Sequence, residues 1–397
     1  MDSAAIAALY EQHLMRTYRP LPVAFARGLG CRLWDTAGRE YLDFVAGIAV
    51  LATGHSHPRV VAALTRQAAA LIHTSNLYLN EQQALLAERL TGLSCADRCF
   101  FCSTGTEANE AAIKLARRWA GQRDPARGPG IVAALSAFHG RTLGALSATP
   151  REKYQKPFEP LLPGFGFVPF NDLEALAEAL TPAVCAVLLE PVQGEGGINA
   201  PDADYFVGVR QLCDERGVLL ILDEIQTGLG RTGKWFGYQH YGIEPDILTL
   251  AKALGSGLPI GACLARESAA AFEPGDHGTT FGGNHLCCAV ALETLNVIAE
   301  EGLVDRARQR GELLESLVAE KLAPLAAFRE FRGQGLLRAL VFDPAHRTGA
   351  QVQTAALEAG LIVNALGEDR VRLAPPLVVS EDECAHAVDV LAKVLGA

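Results

Sequence analysis

The sequence predicts an α/β protein in two parts: a large region built on a mostly parallel sheet covered by helices, and a smaller α+β unit assembled from both chain ends. Three observations carry this. Between residues 61 and 302, short apolar runs alternate with longer helical patterns, the rhythm of strand–helix–strand units. Each apolar run is followed at once by polar or glycine-rich sequence. Residues 1–60 and 303–397 lack that alternation, and 397 residues, 49% of them hydrophobic, suffice for about two domains.

In chain order, residues 6–15 read as a short helix, followed by two strand-like pieces and a turn through Gly54, His55, Ser56, His57 and Pro58. His55, His57 and His73 have metal-ligand chemistry, but the flanking Gly54 and Pro58 favour a structural turn. Strands are expected at residues 98–102, 131–135, 184–189 and 218–222, with a shorter fifth at 247–250. In such sheets ligands gather at the carboxyl ends of the strands, which places the chemistry just after these runs. From residue 303 the pattern gives a helix, a strand, a helix, two strands and a closing helix at 381–395, and the two chain ends are expected to pack together.

Composition narrows the function. Acidic residues outnumber basic ones by 45 to 35, and a net charge of −10 opposes broad contact with nucleic-acid phosphates. No uncharged apolar stretch reaches the ~20 residues of a membrane span, and the first ten residues lack the basic cluster of a signal peptide, so a cytoplasmic location is expected. Ten cysteines in a chain with a large core read as reduced, buried small side chains. Cys99 and Cys102, near Cys95, make a Cys-x-x-Cys, but no second ligand pair follows and residues three apart on a strand face opposite ways; no metal site is expected.

Four constellations have chemical content. Residues 103–106, Ser-Thr-Gly-Thr, lie between a strand and a helix whose Ala108, Ala112, Leu115 and Trp119 share one face. Gly105 lets backbone approach a ligand, and the free N–H groups of a helix start suit a phosphate ester; a capped helix with Glu107 in its first turn and nothing bound fits as well. Asp223 ends an apolar strand, where an acid must be paired or protonated. A protonated ring nitrogen would serve, with Gln226 donating to a phenolic oxygen on the same ring, while a turn cap or an arginine partner is the structural alternative. Lys252 emerges at a strand end before the glycine-rich residues 255–257, where partial burial favours the neutral, nucleophilic amine; a solvated lysine is the plain alternative. Residues 228–233, Gly-Leu-Gly-Arg-Thr-Gly, match the dinucleotide fingerprint and raise a nicotinamide-dependent oxidoreductase as a competing reading. The match is poor, because the preceding strand ends too early, in Asp223-Glu224, and no clear helix start follows.

Taken together, the motifs LPVAF at 21–25, SNLY at 75–78, GTEANE at 105–110, FHGRT at 138–142, QGEGG at 193–197, LDEIQTG at 222–228 and TFGGN at 280–284 resemble the class III aminotransferases. These are pyridoxal-phosphate enzymes of fold type I, and within them the chain is most similar to the acetylornithine aminotransferase family. Two departures are His285, where proline usually follows Gly-Gly-Asn, and Ser103-Thr104 in place of Asn-Ser.

The resemblance implies that Lys252 carries pyridoxal 5′-phosphate, that Asp223 partners the pyridine nitrogen and that Gln226 neighbours the ring hydroxyl. It implies that Phe138 stacks on the ring, that Gly105 and Thr106 hold the phosphate through their backbone, and that Thr280 reaches the same phosphate from the second subunit of a homodimer with active sites at its interface. Arg141 would grip a substrate carboxylate, Thr279 would touch the acylated substrate, and Glu195 would cover Arg372 until a dicarboxylate arrives. The implied reaction moves the terminal amine of N-acetylornithine to 2-oxoglutarate, giving N-acetylglutamate semialdehyde and glutamate, as in arginine biosynthesis. Succinylornithine, ornithine, 4-aminobutyrate and carrier-linked lysine are the alternative donors.

Overall fold

The computed structural model describes residues 1–124 and 126–396. Its centre is a seven-stranded sheet in the order Arg98–Cys102, Gly261–Ala265, Ile247–Leu250, Leu219–Asp223, Val184–Leu189, Gly130–Ala134 and Phe165–Val168. Only Gly261–Ala265 runs antiparallel to its neighbours. Every residue of Val184–Leu189, Leu219–Asp223 and Ile247–Leu250 is buried, which explains why these strands read as unbroken apolar runs: helices cover both faces. The five expected strands are present within a residue of the expected bounds, and two more, Phe165–Val168 and Gly261–Ala265, join them.

The ends of the chain build two four-stranded sheets. Phe25–Leu29, Arg32–Asp35 and Glu40–Asp43 form a meander whose last strand pairs in parallel with Leu361–Ile362, so the first and last parts of the chain share a sheet. Phe328–Gln334, Leu337–Phe342, Arg370–Leu373 and Asn364–Ala365 make the second. The N-terminal helix runs Ser3–His13, earlier than expected, because the Asp2 carboxylate accepts the Ala5 N–H at 2.8 Å and caps it. Among the described residues no helix is long and apolar enough to cross a membrane.

The histidine turn is structural in its contacts. His55 Nε2 lies 2.8 Å from an Asp43 carboxylate oxygen, His57 Nε2 lies 3.1 Å from Glu301, and the His73 ring packs on Phe281. Among the described residues no group of three or more His, Cys, Asp or Glu is placed to hold a metal, and all ten cysteines are free thiols.

Candidate active site

The site begins where three parallel strands end. Leu219–Asp223 delivers Asp223 at its last position, Ile247–Leu250 is followed two residues on by Lys252, and Val184–Leu189 is followed by Glu190. Together with the start of the helix Gly105–Arg123 and the loop 138–141, they enclose a cavity of about 430 Å³ lined by Gly105, Thr106, Phe138, Arg141, Asp223, Gln226 and Lys252. That volume is within the range of small-molecule sites. Seven of the expected site residues, separated by up to 147 positions in sequence, meet there.

At the helix start, Thr104 caps by accepting the Glu107 N–H at 3.3 Å, while Glu107 accepts from the Ser103 N–H at 2.8 Å. The capped-helix reading is therefore correct as far as it goes. It leaves the Gly105 and Thr106 N–H groups without acceptors among the described residues, aimed from the positive end of a 19-residue helix. Position 105 has no room for a side chain: a Cβ there would come within 2.8 Å of Ile225 Cδ1.

Asp223 is 4% exposed and fully engaged. One carboxylate oxygen meets Asn109 Nδ2 and His139 Nδ1, each at 2.8 Å, and the other accepts the Ile225 N–H at 3.1 Å. Asn109 is fixed in turn by the Thr249 hydroxyl at 2.8 Å and by the His139 carbonyl at 2.7 Å. The anticipated turn cap exists, and it is only one of three restraints on this carboxylate. Asn109, His139 and Thr249 were not foreseen as site residues; the signal for Asn109 was a polar side chain on the apolar face of its helix.

Lys252 is half-buried, and its backbone takes φ +42°, in the left-handed region that disfavours side chains. Burial pushes its ammonium below the ordinary lysine value; Glu195 opposes that shift and Arg372 adds to it. Burial also pushes the Glu190 carboxyl up to about 7, with His139 pulling it down and Asp223 pushing it further up. Glu190 was missed in the sequence because a polar residue after a strand is common.

Glu195 and Arg372 lie beside the cavity and are joined to it by Gln226. The Arg372 guanidinium, fully buried, donates to Glu195, to Gln226 Oε1 at 3.0 Å and to Asn364 Oδ1 at 2.6 Å. Burial works to raise the Glu195 carboxyl, but the Arg372 charge and hydrogen bond outweigh it, and the net shift is downward. Arg141 is different. It is exposed, its guanidinium rests 3.5 Å from the Tyr154 ring centroid, and it pairs with no carboxylate among the described residues.

Thr279 and Thr280 do not line this cavity within the chain. They sit on a separate shoulder with Phe100, Glu107 and Phe281, where Asn76 donates to the Thr279 carbonyl at 3.2 Å. The run 228–233 is a series of turns followed by the short 3₁₀ segment Gly237–His240, with no helix begun on it, so the geometry a dinucleotide pyrophosphate needs is missing. By contrast, the residues present fit pyridoxal phosphate: acceptor-free N–H groups for a phosphate, a buried carboxylate for a protonated ring nitrogen, an aromatic wall and a shifted amine.

Comparison with known proteins agrees. An acetylornithine aminotransferase from Gloeobacter violaceus is 51% identical over 385 residues, covering 96% of this chain and 95% of that protein. Among solved structures, ornithine aminotransferase from Toxoplasma gondii, described with PLP at partial occupancy in its active site, superposes with a TM-score of 0.95 at 37% identity, covering 99% and 94% of the two chains. Acetylornithine aminotransferase from Elizabethkingia anophelis superposes with a TM-score of 0.88 at 34% identity, covering 100% and 99%. The class-III aminotransferase signature matches residues 14–395, and the chain belongs to that family.

Proposed function

We propose that the protein is a pyridoxal-phosphate-dependent acetylornithine aminotransferase, moving the terminal amino group of N-acetylornithine to 2-oxoglutarate and releasing N-acetylglutamate semialdehyde and glutamate. The observation that carries the donor assignment is Arg141, which lines the same cavity as Lys252 and meets an aromatic ring but no carboxylate. An acylated α-nitrogen is uncharged and sits beside a guanidinium without penalty. The α-ammonium of ornithine would be repelled there, and the carboxylates lining the cavity, Asp223 and Glu190, are 4% and 6% exposed and already bonded. The 51% identity to an acetylornithine enzyme supports the same donor, while the ornithine enzyme of similar fold supplies the competing one.

When bound, pyridoxal phosphate supplies an electron sink for the pair released as the aminated carbon loses its proton. Lys252 Nζ is the group that would hold the cofactor and, as a free amine, would move that proton; its lowered basicity suits both tasks. Asp223, held by His139, Asn109 and the Ile225 N–H, fixes a negative charge where a ring N–H would point. Gly105 and Thr106 offer N–H groups to the phosphate, Phe138 walls the ring, and Gln226 meets the ring hydroxyl. Arg141 grips the donor carboxylate in a fork, and Thr279, outside its own cavity, would reach the acyl group only across a subunit interface. Glu195 covers Arg372 while a monocarboxylate donor is bound and yields it to the second carboxylate of 2-oxoglutarate.

We further infer a homodimer with its active sites at the interface, in which Thr280 serves the partner's phosphate; the support is its place outside its own cavity beside Phe281, which is 66% exposed, and the exposure of Leu77 and Tyr78, 84% and 70%, which follow the Asn76 that donates to the Thr279 carbonyl. Residues 61–302 would form the cofactor-holding domain, and 1–60 with 303–397 the small one, a division that the shared N- and C-terminal sheet favours. A cytoplasmic location completes the reading.

The test is kcat/KM for acetylornithine, succinylornithine, ornithine and 4-aminobutyrate, measured side by side on yellow holoenzyme through glutamate formation. Acetylornithine should exceed ornithine by tenfold or more, about 1.4 kcal/mol of transition-state preference. The reverse order would overturn the donor assignment, and failure of borohydride to label Lys252 would overturn the cofactor attachment.

A further inference from the structure

The two functional arms of the site, the aromatic wall and the Glu195 gate, are far apart in sequence and carried on different loops. Phe138 lies just beyond the strand Gly130–Ala134, and Glu195 lies in the loop after Val184–Leu189. A single side chain touches both. Glu190 is 6% exposed; one of its carboxylate oxygens accepts the Phe138 N–H at 3.1 Å and the other accepts the Gly194 N–H at 3.1 Å. Gly194 immediately precedes Glu195 and is wedged against Gln226, since a Cβ on it would come within 2.5 Å of the Gln226 amide. Gln226 in turn contacts both Glu195 and Arg372.

We propose that Glu190 is a positioning residue that clasps the Phe138 loop to the Glu195 loop, so that the wall behind the cofactor ring and the cover over Arg372 hold one fixed spacing. Two backbone N–H groups, that of Gly194 buried and that of Phe138 partly so, point at one carboxylate and meet no other acceptor among the described residues, so removing Glu190 takes away the acceptor of both and frees both loops. Freed at Gly194, Glu195 leaves Arg372 more readily. The enzyme then discriminates less between substrates with one carboxylate and those with two. This consequence rests on the gate reading of Glu195 given above; the loop clasp itself does not.

Two holoenzyme variants test it. Glu190→Leu abolishes both acceptors, and the isosteric Glu190→Gln keeps one acceptor oxygen. Hydrogen exchange resolved to the 136–142 and 193–199 segments is measured alongside single-turnover half-reactions with glutamate and with acetylornithine. For Glu190→Leu the expected result is exchange at least threefold faster in both segments, with the ratio of glutamate to acetylornithine half-reaction efficiencies raised at least threefold. Should the leucine variant not fold, Glu190→Gln must show that acceleration in one of the segments together with the same change in ratio. Smaller changes in exchange, or two half-reactions slowed by equal factors, overturn the proposal. If wild-type enzyme does not use acetylornithine at all, the donor assignment fails, and the exchange experiment still decides the clasp.

Discussion

The Asp223 and Arg141 sides of the same cavity are built on opposite principles. Asp223 is buried and held by three donors, two of them themselves fixed by further hydrogen bonds, so it has a single position. Arg141 is exposed, rests on a flat aromatic face, and its hydrogen-bonding fork meets no acceptor among the described residues. The first arrangement is what a charge must have to act on a bound ring without reorganising during the reaction. The second leaves a guanidinium ready to take a new partner and let it go. Glu195 and Arg372 fall between, a pair whose arginine is buried and held by two other acceptors and whose glutamate is partly exposed.

Substitutions on the two sides should therefore differ in kind. Asp223→Asn places an amide where Asn109 and His139 both donate and removes the charge; kcat should fall on the order of 10²–10³-fold, as for loss of a preorganised electrostatic group, with a much smaller effect on donor KM. Steady-state kinetics at saturating cofactor would show it, and a loss confined to KM would erase the distinction. Arg141→Lys keeps charge but not the fork, so donor KM should rise about tenfold while kcat stays within about threefold. A fall in kcat larger than that of Asp223→Asn would invert the ranking.

A smaller effect sharpens the comparison by looking at stability. Glu224, next to Asp223, is also buried, but its carboxylate accepts the Gly237 and Tyr238 N–H groups at 2.9 and 2.8 Å together with the Thr227 hydroxyl, holding the turn. Burial pushes it up to about 7, against an ordinary 4.5. A raised carboxyl stabilises the fold below about pH 4.5 and loses that contribution as pH rises through about 7. Glu224→Gln cannot ionise. Urea unfolding at pH 5 and pH 8 should therefore show the wild type losing roughly 1–3 kcal/mol relative to the variant over that interval. A difference independent of pH would contradict the shift.

What the sequence disclosed follows from the range of each interaction. Asp223, Gln226 and Lys252 stand out because a buried strand that stops at a polar residue is a local signal, read within about six positions. The strand Gly261–Ala265 escaped because Gly-Ala-Cys-Leu-Ala is short and made of small residues, and Phe165–Val168 because it is a four-residue edge between glycine and proline. Asn109 and His139 reach Asp223 across 114 and 84 positions, and Glu190 reaches Phe138 across 52; no spacing rule links such residues before the sheet is assembled. The family resemblance pointed to residues expected to touch ligand, but not to the side chains that hold them.

Lys252 sits on strained backbone. With φ at +42°, a glycine or an asparagine would sit there more comfortably than any long side chain, by about 1 kcal/mol. The fold thus tolerates a local discomfort at the position of this amine, and under the role proposed for Lys252 drift toward greater heat resistance at that residue leads directly away from a working catalyst.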